Sequence, residues 1–219
     1  MLRSIEFMSP GKFIAFEGGE GAGKSTQVRL LADALHQQGY EVVVTREPGG
    51  TAGAEAIRAL LLGLDGEGWQ PRAEALLFAA ARSDHVERLI RPSLEAGRWV
   101  LCDRFVESSR AYQGGGLGIG DADVLDLHRI GSGGLLPDLT VLIAIDPAVA
   151  KQRLIARDGG ASDRIGGRDP AFHTAVAAAF RKFATAEPER FAVIDGNGTA
   201  QETHVAILAA LNLHAAPKR

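Results

Sequence analysis

Short apolar runs alternate with longer amphipathic ones along this chain. "KFIAFE" (12–17) is apolar enough to read as a buried strand. Lys24–Gln38 then places Val28, Leu31, Ala32 and Leu35 on one side, which predicts a helix that Gly39 ends. "EVVVT" (41–45), "RWVLCD" (98–103), "DLTVLIAID" (138–146) and "RFAVID" (190–195) predict four more strands. Helices are expected over Ala54–Leu62, Pro71–Leu89, 121–131, 147–157, 171–186 and 200–211. Pro71 suits a first turn because it has no backbone N–H to waste there. Strands alternating with helices build βαβ units. The expected fold class is therefore α/β, a three-layer arrangement with a five-stranded parallel sheet flanked by helices.

Composition narrows this picture. The 219 residues suit one domain, and 46% hydrophobic residues can fill a sizeable core. Aromatics make up only 6%, so aliphatic side chains must do most of the filling. The formal charge of −3, from 24 basic and 27 acidic residues, argues against a general nucleic-acid binder. A small anionic substrate met by a local basic cluster stays open. Cys102 is the one cysteine, so no intrachain disulfide forms, which fits a reducing, cytoplasmic setting. Its strand position reads as a small buried hydrophobe. "MLRSIEFMSPGK" has no long apolar stretch, and no window approaches the ~18 apolar residues of a membrane span. Residues 1–11 are expected to be a flexible leader, with Met1 and Met8 both open as the start.

The chemistry begins after the first predicted strand. Gly18, Gly23, Lys24 and Ser25 fit G-x-x-x-x-G-K-[ST], between that strand and the helix it opens. Such a loop turns backbone N–H groups around a phosphate, and the helix N-terminus adds partial positive charge. Gly18, Gly19, Glu20, Gly21, Ala22, Gly23, Lys24, Ser25 and Thr26 are thus the candidate triphosphate-binding residues. Lys24 would reach the β- and γ-phosphates and the Ser25 hydroxyl would ligate Mg2+. Asp103, at the end of a predicted strand, is placed for the metal-side carboxylate, although a strand-end Asp also caps turns. The absence of an N-K-x-D stretch disfavours a GTPase. Glu20 is unexpected in such a loop, since a carboxylate repels phosphate; it suits an outward direction, toward solvent or a second substrate.

"EGGEGAGKST", "TREPGGT", "FAAARSDH", "DRFVESSRAYQGGG" and "PDLTVLIAID" occur in the order and spacing of bacterial thymidylate kinases, which this sequence resembles from about Lys12 to Leu211. The resemblance implies a P-loop NTPase-type domain over 12–219, with ATP and dTMP as substrates, Mg2+ as cofactor and a homodimer. It implies that Glu20 accepts a hydrogen bond from the dTMP 3′-OH. Arg104 would clamp the dTMP phosphate, with Arg46 as a second contact. Phe78 and Arg82, spaced i, i+4, would stack on thymine and donate to its O4, although a core Phe beside a surface Arg fits the same spacing. Ser109 and Gln113 fall where the family contacts the base, and Tyr112 where a ring crowds the sugar 2′ position. The Gly-rich "RLIARDGGASDR" resembles the family's lid, at about 153–169, which supplies an arginine to the migrating phosphoryl group. Here the glutamate frequent after the Asp-Arg pair is missing, and Arg153, Arg157 and Arg164 all remain candidates.

Two further expectations come from the residues themselves. Gly114, Gly115 and Gly116 are expected to let the chain pass close to the substrate or turn sharply. His85 is expected on a helix surface, and the six histidines show no metal-ligand spacing. Two alternatives stay open: a kinase of another nucleotide or of a deoxynucleoside, and a non-catalytic nucleotide-binding module.

Overall fold

The computed structural model describes residues 11–63, 68–158 and 163–215. The expected leader, Met1 and Met8 lie outside the described residues. Five strands form one parallel sheet: β1 Phe13–Glu17, β2 Val42–Arg46, β3 Trp99–Asp103, β4 Leu139–Ala144 and β5 Phe191–Asp195. Their order is β2-β3-β1-β4-β5. β1 therefore lies where the chain switches from building one side of the sheet to building the other. In open parallel sheets that switch point, outside the strands' C-terminal ends, is where ligands bind. Register brings the functional ends level there, with Phe16 and Arg46 both opposite Asp103.

The helices are α1 Lys24–Gln37, α2 Ala52–Leu62, α3 Pro71–His85, α4 Arg91–Glu95, α5 Val106–Ser109, α6 Asp121–Ser132, α7 Pro147–Asp158, α8 Pro170–Ala186 and α9 Ala200–Ala215. Alternate strand residues face opposite ways, which divides the core by sheet face. Ile14, Phe16, Val141 and Ile143 pack against Leu31 and Leu35 of α1 and Ile207 of α9. Phe13, Ala15, Val100 and Cys102 pack against Val86, Ile90 and Phe105 on the other face. A third cluster gathers Tyr112, Phe172, Phe180, Phe183 and Phe191 around α8. Thr51 caps α2 by accepting from Ala54 N, and Asp169 caps α8 by accepting from Phe172 N.

The strands fall within a residue or two of their expected bounds. The helix expected to stop at Leu89 instead widens into a π turn over Val86–Ile90 and continues as α4. Pro92, which has no N–H to donate, stands in the first turn of α4. The triple glycine departs from expectation in a second way. Gly114–Gly116 close a π-helical segment, Arg110–Gly116, rather than a sharp turn. The small size of the last two serves packing against α8, since a Cβ on Gly116 would lie 2.4 Å from the Phe172 ring and one on Gly115 3.0 Å from Ala179 Cβ. Gly116→Ala is expected to lower unfolding free energy by about 1–3 kcal/mol through overpacking, measured by urea denaturation. An unchanged midpoint would mean that α8 yields at no cost.

Candidate active site

The loop after β1 wraps because three glycines adopt left-handed backbone: Gly18 at φ 136°, Gly21 at φ 73° and Gly23 at φ 89°. The first two are also pressed against neighbours. A Cβ on Gly18 would meet the Ile143 carbonyl at 2.5 Å, and one on Gly21 the Ala150 carbonyl at 2.7 Å. Lys24 opens α1 and folds back, its Nζ donating to the Gly18 and Gly19 carbonyls at 3.1 and 2.8 Å. Burial, followed by repulsion from Arg104, lowers its pKa from 10.5 to about 8, against the pull of Asp103 and Glu20. Ser25 Oγ donates to Asp103 Oδ2 at 2.5 Å.

Glu20 lines the cleft beside this loop and meets Arg104. Its Oε1 accepts from Arg104 Nη2 at 2.7 Å. Arg104 Nη1 donates to the Gly18 carbonyl and to Ser108 Oγ, both at 3.1 Å, and the guanidinium lies 5.1 Å from the Tyr112 ring centroid. The Arg104 backbone is left-handed at φ 72°, an uncommon state for a side-chain-bearing residue. Glu17 holds the segment that follows that residue. Its Oε1 accepts from Phe105 N at 2.8 Å and Ser108 N at 3.0 Å, while its Oε2 meets Ser108 Oγ at 2.6 Å. Burial raises the Glu17 pKa from 4.5 to about 7, opposed by Arg104 and these donors.

A cleft of about 570 Å³ runs from this loop to α3. Phe78, Arg82, Ser109, Tyr112 and Gln113 line its far end. Arg82 is buried, its Nε donating to Glu47 Oε2 at 2.7 Å and its Nη2 to Ser109 Oγ at 2.9 Å. Among the described residues seven cationic side chains line the cleft against four carboxylates, so an acidic chain keeps a locally basic site.

The family model described as thymidylate kinase matches residues 16–207. This chain belongs to the thymidylate kinase family. The thymidylate kinase of Rhizorhabdus wittichii is 54% identical over 202 residues, covering 92% of this chain and 97% of that protein. That of Caulobacter vibrioides is 48% identical, covering 91% and 95%. A crystal structure of thymidylate kinase from Ehrlichia chaffeensis matches with a TM-score of 0.76 at 32% identity, covering 93% of this chain and all of that one.

Of the residues singled out in this thymidylate kinase sequence, Glu20, Lys24, Ser25, Thr26, Arg46, Phe78, Arg82, Asp103, Arg104, Ser109, Tyr112, Gln113 and Arg153 all line the one cleft. Arg46 is half exposed and donates to Glu55 at 3.2 Å. Arg153 donates to the Gly198 carbonyl at 2.8 Å, which brings the β5–α9 turn beside the loop. Arg164 donates to the Gly63 carbonyl at the end of α2. Arg157 sits on α7, but its side chain and residues 159–162 lie outside the described residues.

His85 corrects the surface expectation. It is fully buried, with Nε2 2.7 Å from Thr45 Oγ1 and Nδ1 3.1 Å from Glu47 Oε1. The i, i+3 step from Arg82 points both side chains inward at Glu47, a carboxylate that periodicity alone could not weigh. Glu17, Glu47, Glu74 and Arg168 also escaped the sequence reading. Glu17 did leave a signal, being a charge that ends an otherwise apolar strand.

The depressed Lys24 pKa carries a proton consequence. Above pH 8 the free amine is increasingly neutral, whereas bound phosphate favours its charged form. Binding of a nucleoside triphosphate at pH 8 is expected to take up about half a proton at Lys24, and almost none there at pH 6.5. Calorimetry in two buffers of different ionisation enthalpy reads this; no buffer dependence at pH 8 would contradict the shift.

Proposed function

We propose that this cleft receives ATP and dTMP end to end and passes the γ-phosphoryl group in line, giving ADP and dTDP. As a member of the thymidylate kinase family the chain is a kinase acting on dTMP with ATP. The arrangement at each end is our reading. Its main support is the Glu20–Arg104 pair, set at 2.7 Å beside the phosphate loop. A carboxylate next to a guanidinium there suits an acceptor bearing both a hydroxyl and a phosphate.

On this reading Gly18–Thr26 hold the ATP phosphates through backbone N–H groups and Lys24. Arg104 and Arg46 bind the dTMP phosphate, and Glu20 accepts from its 3′-OH. An oxygen of the largely ionised dTMP phosphate attacks the γ-phosphorus while the bond to the β-bridging oxygen breaks. No strong base is needed; cations must offset the repulsion of two anions, and arginine does so with paired donors. Arg153 and Arg157 are the lid arginines assigned to the migrating group. Phe78 and Arg82 receive thymine, with Ser109 and Gln113 at its edge and Tyr112 against the sugar.

The residues present fit a magnesium ion. Ser25 offers a hydroxyl and Asp103 a carboxylate, already touching, and no cluster of three or more His, Cys, Asp or Glu stands ready to cage a metal among the described residues. Mg2+ usually takes such a sparse protein set and completes its shell with phosphate and water. When bound it would neutralise charge on the β- and γ-phosphates. We read residues 12–219 as one kinase domain with a lid over about 153–169, paired as a homodimer in the cytoplasm without nucleic-acid or membrane partners. Among the described residues no helix is long and apolar enough to cross a membrane.

A coupled ADP-release assay across dTMP, dUMP, dCMP, dGMP and thymidine tests the acceptor. Turnover is expected to be highest on dTMP, and comparable turnover on thymidine would defeat a site built around an acceptor phosphate. Glu20→Gln should raise the dTMP KM about tenfold, since a charge-assisted bond to the sugar is lost, with ATP affinity nearly unchanged. Equal loss for both substrates would remove Glu20 from the sugar.

A further inference from the structure

We infer that Glu74 is a positioning residue that fixes the Gln113 amide with its carbonyl oxygen left to the cleft, so that the site selects a pyrimidine bearing hydrogen at ring nitrogen 3. This rests on the proposal that Gln113 meets the base.

Glu74 lies on α3 one turn before Phe78 and is 2% exposed. Both of its oxygens are engaged. Oε1 accepts from Gln113 Nε2 at 2.9 Å, and Oε2 accepts from Arg168 Nη2 at 2.5 Å. A carboxylate held in an ion pair can only accept. A flipped Gln113 would set two acceptors face to face in a buried place and leave the amide N–H groups turned from their partner. The amide orientation thus follows from chemistry and not from a choice between two similar atoms.

With the NH2 drawn to Glu74, the oxygen is what Gln113 offers the cleft it lines with Phe78 and Arg82. Arg82, held by Glu47 and Ser109, can only donate. A donor beside an acceptor complements a base edge that pairs a carbonyl with an adjacent N–H. Thymine and uracil have that edge. Cytosine presents an amino group and an unprotonated ring nitrogen, the reverse of it. Arg168 adds a structural link, since it stands at the C-terminal end of the expected lid and lies 4.7 Å from the centroid of the Phe172 ring. The cation paired with Glu74 therefore comes from the C-terminal end of that segment.

Steady-state kinetics with dTMP and dCMP test this. Glu74→Gln removes the fixed acceptor and frees the amide to turn. The ratio of kcat/KM for dTMP over dCMP is expected to fall at least about tenfold, through the dTMP KM, with kcat and the ATP KM little changed. An unchanged ratio in a variant with wild-type unfolding overturns the proposal. The double variant Glu74→Gln/Arg168→Gln strands no charge and should show the same loss; a wild-type ratio there overturns it equally. Gln113→Ala is measured alongside. If it leaves the dTMP KM untouched, the reading of the base site has failed and the proposal falls with it. If it raises that KM while both Glu74 variants keep the ratio, only the role of Glu74 is refuted.

Discussion

One buried carboxylate ties the two halves of the cleft together. Glu17 ends the central strand and takes three hydrogen bonds from the turn that follows β3. That turn carries Arg104 in left-handed backbone and leads into the helical segment bearing Ser109, Tyr112 and Gln113. The loop that follows β1 leads into Lys24 and Ser25. The same strand end therefore sets the distance between the phosphate loop and the opposite wall. Burial opposes ionisation of Glu17 while its donors favour it, and the resulting pKa near 7 leaves this tie sensitive to pH around neutrality.

The cations of the cleft are held in place before any ligand arrives. Arg82 is fixed by Glu47 and Ser109, Arg104 by Glu20, Gly18 and Ser108, and Arg46 by Glu55. Such partners keep like charges apart in a partly dry site and limit the reorganisation needed on binding. Below Arg82 the network continues through Glu47 to His85 and Thr45, so the base end rests on a buried polar core. Removing one partner there would strand a charge or a polar group, which costs more than the pair contributes.

Much of the site could be read from the chain because its signals are local. The Gly-rich loop needs particular residues at particular steps from one strand to one helix, whereas Phe78 and Arg82 were singled out by resemblance, since their helical spacing fits a core Phe beside a surface Arg equally well. The second-layer acids were hidden because their roles depend on partners far along the chain. Glu74 meets Arg168 and Gln113, and Glu17 meets Ser108. His85 was misjudged for the same reason, since the burying wall comes from the segment after β2. The triple glycine suggested close approach, but only the tertiary structure shows that Gly115 and Gly116 lie against α8.

By itself the sequence determined the alternation of strands and helices, the parallel sheet and the phosphate loop, because periodicity and glycine placement act over a few residues. The order β2-β3-β1-β4-β5 was decided in three dimensions, as was the level at which Glu17, Arg46 and Asp103 end. So was the partner of every buried charge. Those outcomes depend on which distant segments pack side by side, and burial turns an ordinary surface residue type into a tie, a clamp or an orienting group.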